Sequence, residues 1–249
     1  MFWALSGKSG NISPRCSMGP GRKECPLKKG LFITFEGVEG SGKTTQIRLL
    51  ARLLRKYRIP YLATREPGGS RLSTHLRRWI LNRLEYKLRP ETELFLFLAD
   101  RAQHVKEVIE PALAAGKVVL CDRFTDSTLA YQGGGRGFAT GLLQTLNAAA
   151  TDGLKPDVTL LFDLPVQVGL KRAWRRGKGK DRMEREKLDF HRRVRRAFLR
   201  AARMEKKRFV VVDASRGAED VYQEMIEKLI DRLPAGKNRT RGGVKSPGR

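Results

Sequence analysis

Eight consecutive residues constrain this chain more than any others. Gly37-Val38-Glu39-Gly40-Ser41-Gly42-Lys43-Thr44 fits G-x-x-x-x-G-K-[ST] at every fixed position. The pattern carries weight when it follows a strand and opens a helix, and both flanks comply. Leu31 to Phe35 is short, apolar and rich in strand formers, and 44–57 places Ile47, Leu50, Leu53 and Leu54 on one helical face. Gly37, Gly40 and Gly42 let the backbone turn tightly with its N–H groups pointing inward. The helix N-terminus adds a field that favours an anion. Residues 37–45, from Gly37 through Val38, Glu39, Gly40, Ser41, Gly42, Lys43 and Thr44 to Thr45, therefore read as a cradle for a nucleoside triphosphate. Lys43 would reach the β- and γ-phosphates, and the Thr44 hydroxyl would ligate Mg2+.

The rest of the chain repeats the same alternation. Apolar strand-like runs recur at 61–64, 117–122, 158–163 and 208–213, and helical patterns follow each, notably 71–83, 90–114 and 218–233. Strands that are apolar throughout, separated by helices, argue for a parallel sheet covered on both faces. The expected fold is α/β, three layers, with a five-stranded parallel sheet and helices on both sides. With 249 residues and 40% hydrophobic content there is material for such a core. No apolar run approaches the roughly 18–20 residues of a membrane helix, and three Cys cannot make a disulfide framework. Cys121 closes an apolar strand and reads as a core residue. A reducing cytoplasm is the simple reading of the compartment.

The chain is strongly basic, with 51 Lys and Arg against 26 Asp and Glu, a formal charge of +25. The excess is concentrated. Residues 1–29 hold six basic and one acidic residue, 171–208 hold 18 and five, and 234–249 hold five and none. The two end segments, 1–29 and 234–249, mix Ser, Gly, Pro and Lys and read as disordered extensions flanking a domain over 30–233. The first lacks the apolar stretch of a secretory signal, and Met18 is an alternative first residue. Arg192-Arg193-Val194-Arg195-Arg196 reads as a solvated helix face, with a nucleic-acid patch as the less favoured alternative.

A triphosphate cradle alone does not separate a GTPase, a motor and a small-molecule kinase. The guanine-reading Asn-Lys-x-Asp motif is not present, and the chain is short for a motor. Other segments are more discriminating. Phe35-Glu36 precedes the cradle, Arg65-Glu66-Pro67-Gly68-Gly69 closes the second strand, and Asp122-Arg123-Phe124 closes the third. Tyr131-Gln132-Gly133-Gly134-Gly135-Arg136-Gly137 follows. Together with 89–105, 155–165 and 169–173, in order and with ordinary spacing, these segments resemble thymidylate kinase of the bacterial type with an arginine-rich lid. The resemblance covers about Lys29 to Leu233.

It implies transfer of the γ-phosphoryl group of ATP to dTMP, a step towards dTTP, in a homodimeric enzyme. It implies that Arg123 grips the acceptor phosphate, with Arg65 nearby, and that Asp122 helps Thr44 hold Mg2+. Glu39 matches the acidic residue near the nucleoside sugar, Phe97 the ring that stacks on thymine, and Arg101 the arginine near the base. Ser127, Thr128, Tyr131 and Gln132 would line the same pocket. Phe97 and Arg101 stand i, i+4 on a predicted helix, so one cleft can receive both. Residues 175–182 sit where the lid belongs, with Arg176 and Arg182 as the matching arginines and Lys178 and Lys180 as further charge. A helix is expected over 183–206. His75, His104 and His191 match no triad or metal site and read as surface or packing residues. The alternatives are another pyrimidine nucleoside monophosphate kinase, or a P-loop protein associated with nucleic acid.

Overall fold

The computed structural model describes residues 2–6, 11–15, 30–82, 86, 88–175 and 181–230. Near the start, β1 (Phe2–Ser6) and β2 (Asn11–Arg15) pair antiparallel as a two-stranded sheet of their own. Both strands lie within 1–29, the segment expected as a disordered extension.

The domain is built on five strands: β3 (Leu31–Glu36), β4 (Tyr61–Arg65), β5 (Val118–Asp122), β6 (Val158–Asp163) and β7 (Phe209–Asp213). They lie in the order β4-β5-β3-β6-β7, every pair parallel. Their side chains sort by the period of two that a pleated strand imposes. Leu31, Ile33, Phe35, Val118 and Leu120 pack with Ile47, Leu50 and Leu54 of α1 (Lys43–Lys56) and with Val221, Met225 and Ile226 of the last helix, Ala218–Ile230. Phe32, Val119 and Cys121, from the other face, pack with Val105, Ile109 and Ala112.

The helical run expected at 90–114 is one continuous rod of three pieces: α3 (Pro90–His104), a π-helical stretch (Val105–Ile109) and α4 (Glu110–Ala114). Before it comes α2 (Arg71–Leu81), whose Ser70 caps the first turn by accepting from Ser73 N–H. After β5 come α5 (Thr125–Thr128), a second π-helical stretch (Leu129–Gly135) and α6 (Thr140–Thr151). Tyr131 and Gln132, which read as loop residues by sequence alone, are therefore on a helix. α7 (Val166–Trp174), α8 (Leu188–Met204) and α9 (Ala218–Ile230) complete the fold.

α8 starts five residues later than the expected 183. Asp181 Oδ1 accepts from Glu184 N–H at 2.8 Å, and this side chain–backbone bond turns the chain before the helix begins. Residues 231–249 lie outside the described residues, and so do Arg176, Lys178 and Lys180 of the expected lid. No helix among the described residues is long and apolar enough to cross a membrane.

Candidate active site

The site lies at the C-terminal ends of β3, β4 and β5, where open parallel sheets receive ligands. The register sets Phe35 and Arg65 on either side of Asp122, so the three strands end at one level. A cleft of about 520 Å3 opens there. Its walls come from the loop after β3, the ends of β4 and β5, α2, α3, the second π-helical stretch and the turn before α8.

The glycine loop has the conformation its sequence requires. Gly37, Gly40 and Gly42 all have positive φ, at 138°, 70° and 87°. Gly40 is also needed for space, since a Cβ there would lie 1.9 Å from the Gly169 carbonyl oxygen of α7. Lys43 donates from Nζ to Gly37 O, Val38 O and Ser41 Oγ at 3.0, 3.1 and 3.2 Å. Burial, then the nearby Arg123, brings its pKa down to about 8. Thr44 Oγ1 donates to Asp122 Oδ2 at 3.0 Å. A hydroxyl and a carboxylate this close, at the mouth of a phosphate cradle, form an oxygen donor set that suits Mg2+.

Arg123 stands beside the cradle with φ 72°, a left-handed conformation that arginine rarely adopts. Its N–H donates to Phe35 O at 3.0 Å. Its guanidinium donates to Gly37 O and Ser127 Oγ at 3.1 and 3.2 Å, reaches Glu39 Oε1 at 3.4 Å, and lies 4.9 Å from the Tyr131 ring centre. Burial disfavours its charge, but Tyr131, Glu39, Asp122 and Glu36 outweigh that and hold it protonated. Buried Glu36 fixes the turn by accepting from Phe124 N–H and Ser127 Oγ at 2.8 and 2.6 Å. Burial, then Asp126, pushes the Glu36 carboxyl well above the usual range.

Glu39 is a hub. Oε1 accepts from Tyr131 OH at 2.5 Å, and Oε2 lies 3.1 Å from His191 Nδ1. Burial alone would raise its pKa, but His191, Arg123 and Tyr131 together bring it down to about 2.

Phe97 and Arg101 both line the cleft, as their i, i+4 spacing predicts. Arg101 is nonetheless almost wholly buried and heavily committed. It donates to Glu66 Oε2 at 2.8 Å, Thr128 Oγ1 at 2.7 Å, Asn147 Oδ1 at 2.6 Å and Phe124 O at 3.0 Å. His104 braces the same carboxylate, with Nδ1 3.0 Å from Glu66 Oε1 and Nε2 2.7 Å from Thr64 Oγ1. Ser127, Thr128, Tyr131 and Gln132 are buried in the cleft wall, and Arg65 lines it from the exposed end of β4.

Arg182 sits differently from the expectation. Its Nη1 pairs with buried Glu93 at 2.5 Å and its Nε donates to Ile80 O at 2.9 Å, while Asp181, Met183 and Glu184 line the cleft on that side. Phosphate contact would require it to leave Glu93, which already accepts from Gln132 and Arg136. The basic run on α8 is also largely engaged: Arg192 pairs with Asp189, Arg193 donates to Gly134 O and Gly135 O, and Arg195 forks onto Asp163.

Two further arginines of the cleft were not among the expected site residues. Arg77 points inward from α2 and donates to Pro67 O at 2.6 Å. The signal was available, since Arg77 follows Leu76 and precedes Ile80 on the buried side of α2. Arg48 of α1 is the second.

A cation-rich cleft beside a phosphate cradle fits many phosphotransferases, and comparison with known proteins narrows the choice. The sequence model of the thymidylate kinase family matches residues 35–225. A thymidylate kinase of Desulfosudis oleivorans is 51% identical over 210 residues, covering 82% of this chain and 98% of that protein. One of Desulfovibrio desulfuricans is 55% identical over 215 residues, covering 83% and 99%. The crystal structure of thymidylate kinase from Ehrlichia chaffeensis superposes with a TM-score of 0.67 at 34% identity, covering 81% of this chain and 99% of that one. The motifs, the sheet order and these matches agree, and the chain belongs to the thymidylate kinase family.

Proposed function

We propose that the chain transfers the γ-phosphoryl group of ATP to the phosphate of dTMP, giving ADP and dTDP, on the way to dTTP. The observation that carries this reading is one cleft with a glycine-loop cradle at one end and Arg65, Arg77 and Arg123 near it, with Phe97 and Arg101 in the wall. The cradle and Lys43 bind the donor. Arg123 and Arg65 take the acceptor phosphate, since a guanidinium fork meets two oxygens at once. Phe97 offers a face to the base.

Phosphoryl transfer is mainly a matter of positioning and of meeting charge on the equatorial oxygens. The acceptor phosphate is already an anionic nucleophile at neutral pH, so no general base is needed. Mg2+, held by Thr44 and Asp122, would neutralise donor phosphate charge. Lys43 gives up the carbonyl oxygens of its own loop in favour of phosphate oxygens.

The working form is a homodimer. α2, α3 and α6 pack side by side, and each leaves a large apolar side chain in solvent: Trp79, Phe95 and Leu142. The buried free thiol of Cys121 suits a cytoplasmic setting.

The test is steady-state formation of dTDP from ATP, Mg2+ and dTMP by the unaltered chain and two variants. Arg123→Ala is expected to lower kcat/KM by about a thousandfold, the scale of a lost phosphate-clamping arginine. Lys43→Ala is expected to lower it by about a hundredfold or more. Near-normal turnover in either variant, with the circular dichroism of the folded chain, removes that residue from the site.

A further inference from the structure

His191 read as a packing residue, and the structure gives it a more specific place. It lies on α8, 152 positions along the chain from the cradle residue it meets, and its side chain is fully buried with its ring edge-on to Phe190. Nδ1 stands 3.1 Å from Glu39 Oε2. The contact is off the line of a good hydrogen bond, and among the described residues Glu39 Oε2 and both ring nitrogens have no hydrogen-bond partner. A buried carboxylate oxygen and a buried imidazole therefore face each other with no other recourse. Removing the carboxylate leaves the imidazole desolvated with no polar neighbour, and removing the imidazole leaves Glu39 Oε2 facing none, each a costly outcome.

The other oxygen of the same carboxylate is the informative part. Glu39 Oε1 receives Tyr131 OH and lies 3.4 Å from Arg123 Nη2. The carboxylate is thus gripped on one side by α8 and on the other by the residues assigned to the acceptor. The donor contacts of Lys43 and Thr44 run to the loop's own carbonyls, to Ser41 and to Asp122, and none involves His191.

We propose that His191 is a positioning residue for the acceptor half of the site: it holds the Glu39 carboxylate from α8 and, through it, sets Tyr131 and Arg123. The inference rests on the dTMP-kinase reading for its kinetic consequences. Its structural content, the coupling of His191 to Glu39, stands apart from that reading.

A cycle of four chains tests it, the unaltered one, His191→Phe, Glu39→Gln and the double variant, and a fifth, His191→Asn, is the conservative rescue. Phenylalanine fills the ring's place without a donor, and asparagine returns an N–H near the position of Nδ1. His191→Phe is expected to raise KM for dTMP about tenfold, as the acceptor contacts of Tyr131 and Arg123 loosen, with KM for ATP within about twofold. His191→Asn is expected to stay within about threefold of the unaltered chain, and His191→Phe on the Glu39→Gln background to cost less than about twofold.

The proposal is overturned if His191→Phe leaves both KM values unchanged, or if it moves both equally while the melting temperature falls. It is also overturned if the change costs the same with and without the Glu39 carboxylate. Urea unfolding of the same four chains reads the coupling without any ligand. Non-additive midpoints support the pairing even if dTMP proves the wrong acceptor, and additive ones overturn it.

Discussion

Lys43 holds its ammonium against three oxygens of its own loop and has a pKa of about 8, below the 10.5 of an unburied lysine. Between those values the unfolded chain binds more protons than the folded one, so this group adds stability as the pH rises through that window. A triphosphate reverses the preference, because its anionic oxygens favour the ammonium. Binding of ATP at pH 8 should therefore take up about half a proton per site. Calorimetric titration in two buffers of different ionisation enthalpy measures this, and zero uptake or net release would contradict it. At this scale the sequence was legible where a role depends on nearby residues, as with the glycine loop or the Phe97–Arg101 pair. It was not legible where the partner is distant. The carboxylates facing Arg182 and His191 come from Glu93 and Glu39, and no local pattern announces them. The commitment of Arg101 to Glu66, Thr128 and Asn147 was hidden for the same reason.

Among the elements, the second π-helical stretch carries the most consequence. It brings Tyr131 and Gln132 into the cleft wall, and α8 packs closely against it. Three consecutive glycines stand in it although glycine is a poor helix former. Here Gly134 is required by contact: a Cβ would lie 2.6 Å from Ala197 Cβ and 3.1 Å from Arg193 O. Gly134→Ala should therefore cost about 1–3 kcal/mol, as overpacking does, and lower the urea midpoint. Ala197→Gly on the same background should recover part of the loss. An unchanged midpoint in the single variant would show that the two helices are free to separate. The regular elements were readable because apolar strands and amphipathic helices leave periodic traces. The π stretches leave none, and the turns that precede α8, such as Glu184 N–H to Asp181 Oδ1 and Glu186 N–H to Met183 O, leave none either.

For the molecule as a whole, the fold follows from the alternation of strand and helix, and the sheet order brings the ends of β3, β4 and β5 together. The dimer proposed on α2, α3 and α6 belongs to this scale. Sedimentation equilibrium should give about twice the 28.2 kDa chain mass, and Trp79→Glu should shift it towards the monomer. A monomeric unaltered chain at micromolar concentration would remove that assignment. The central claim is that this cleft selects a thymine nucleotide as acceptor. The most direct measurement is ADP release with ATP and Mg2+ against dTMP, dUMP, UMP, CMP, AMP and GMP in turn. Turnover on dTMP well above every other acceptor is the predicted result. Comparable or faster turnover on another of them, or none on dTMP, would contradict it.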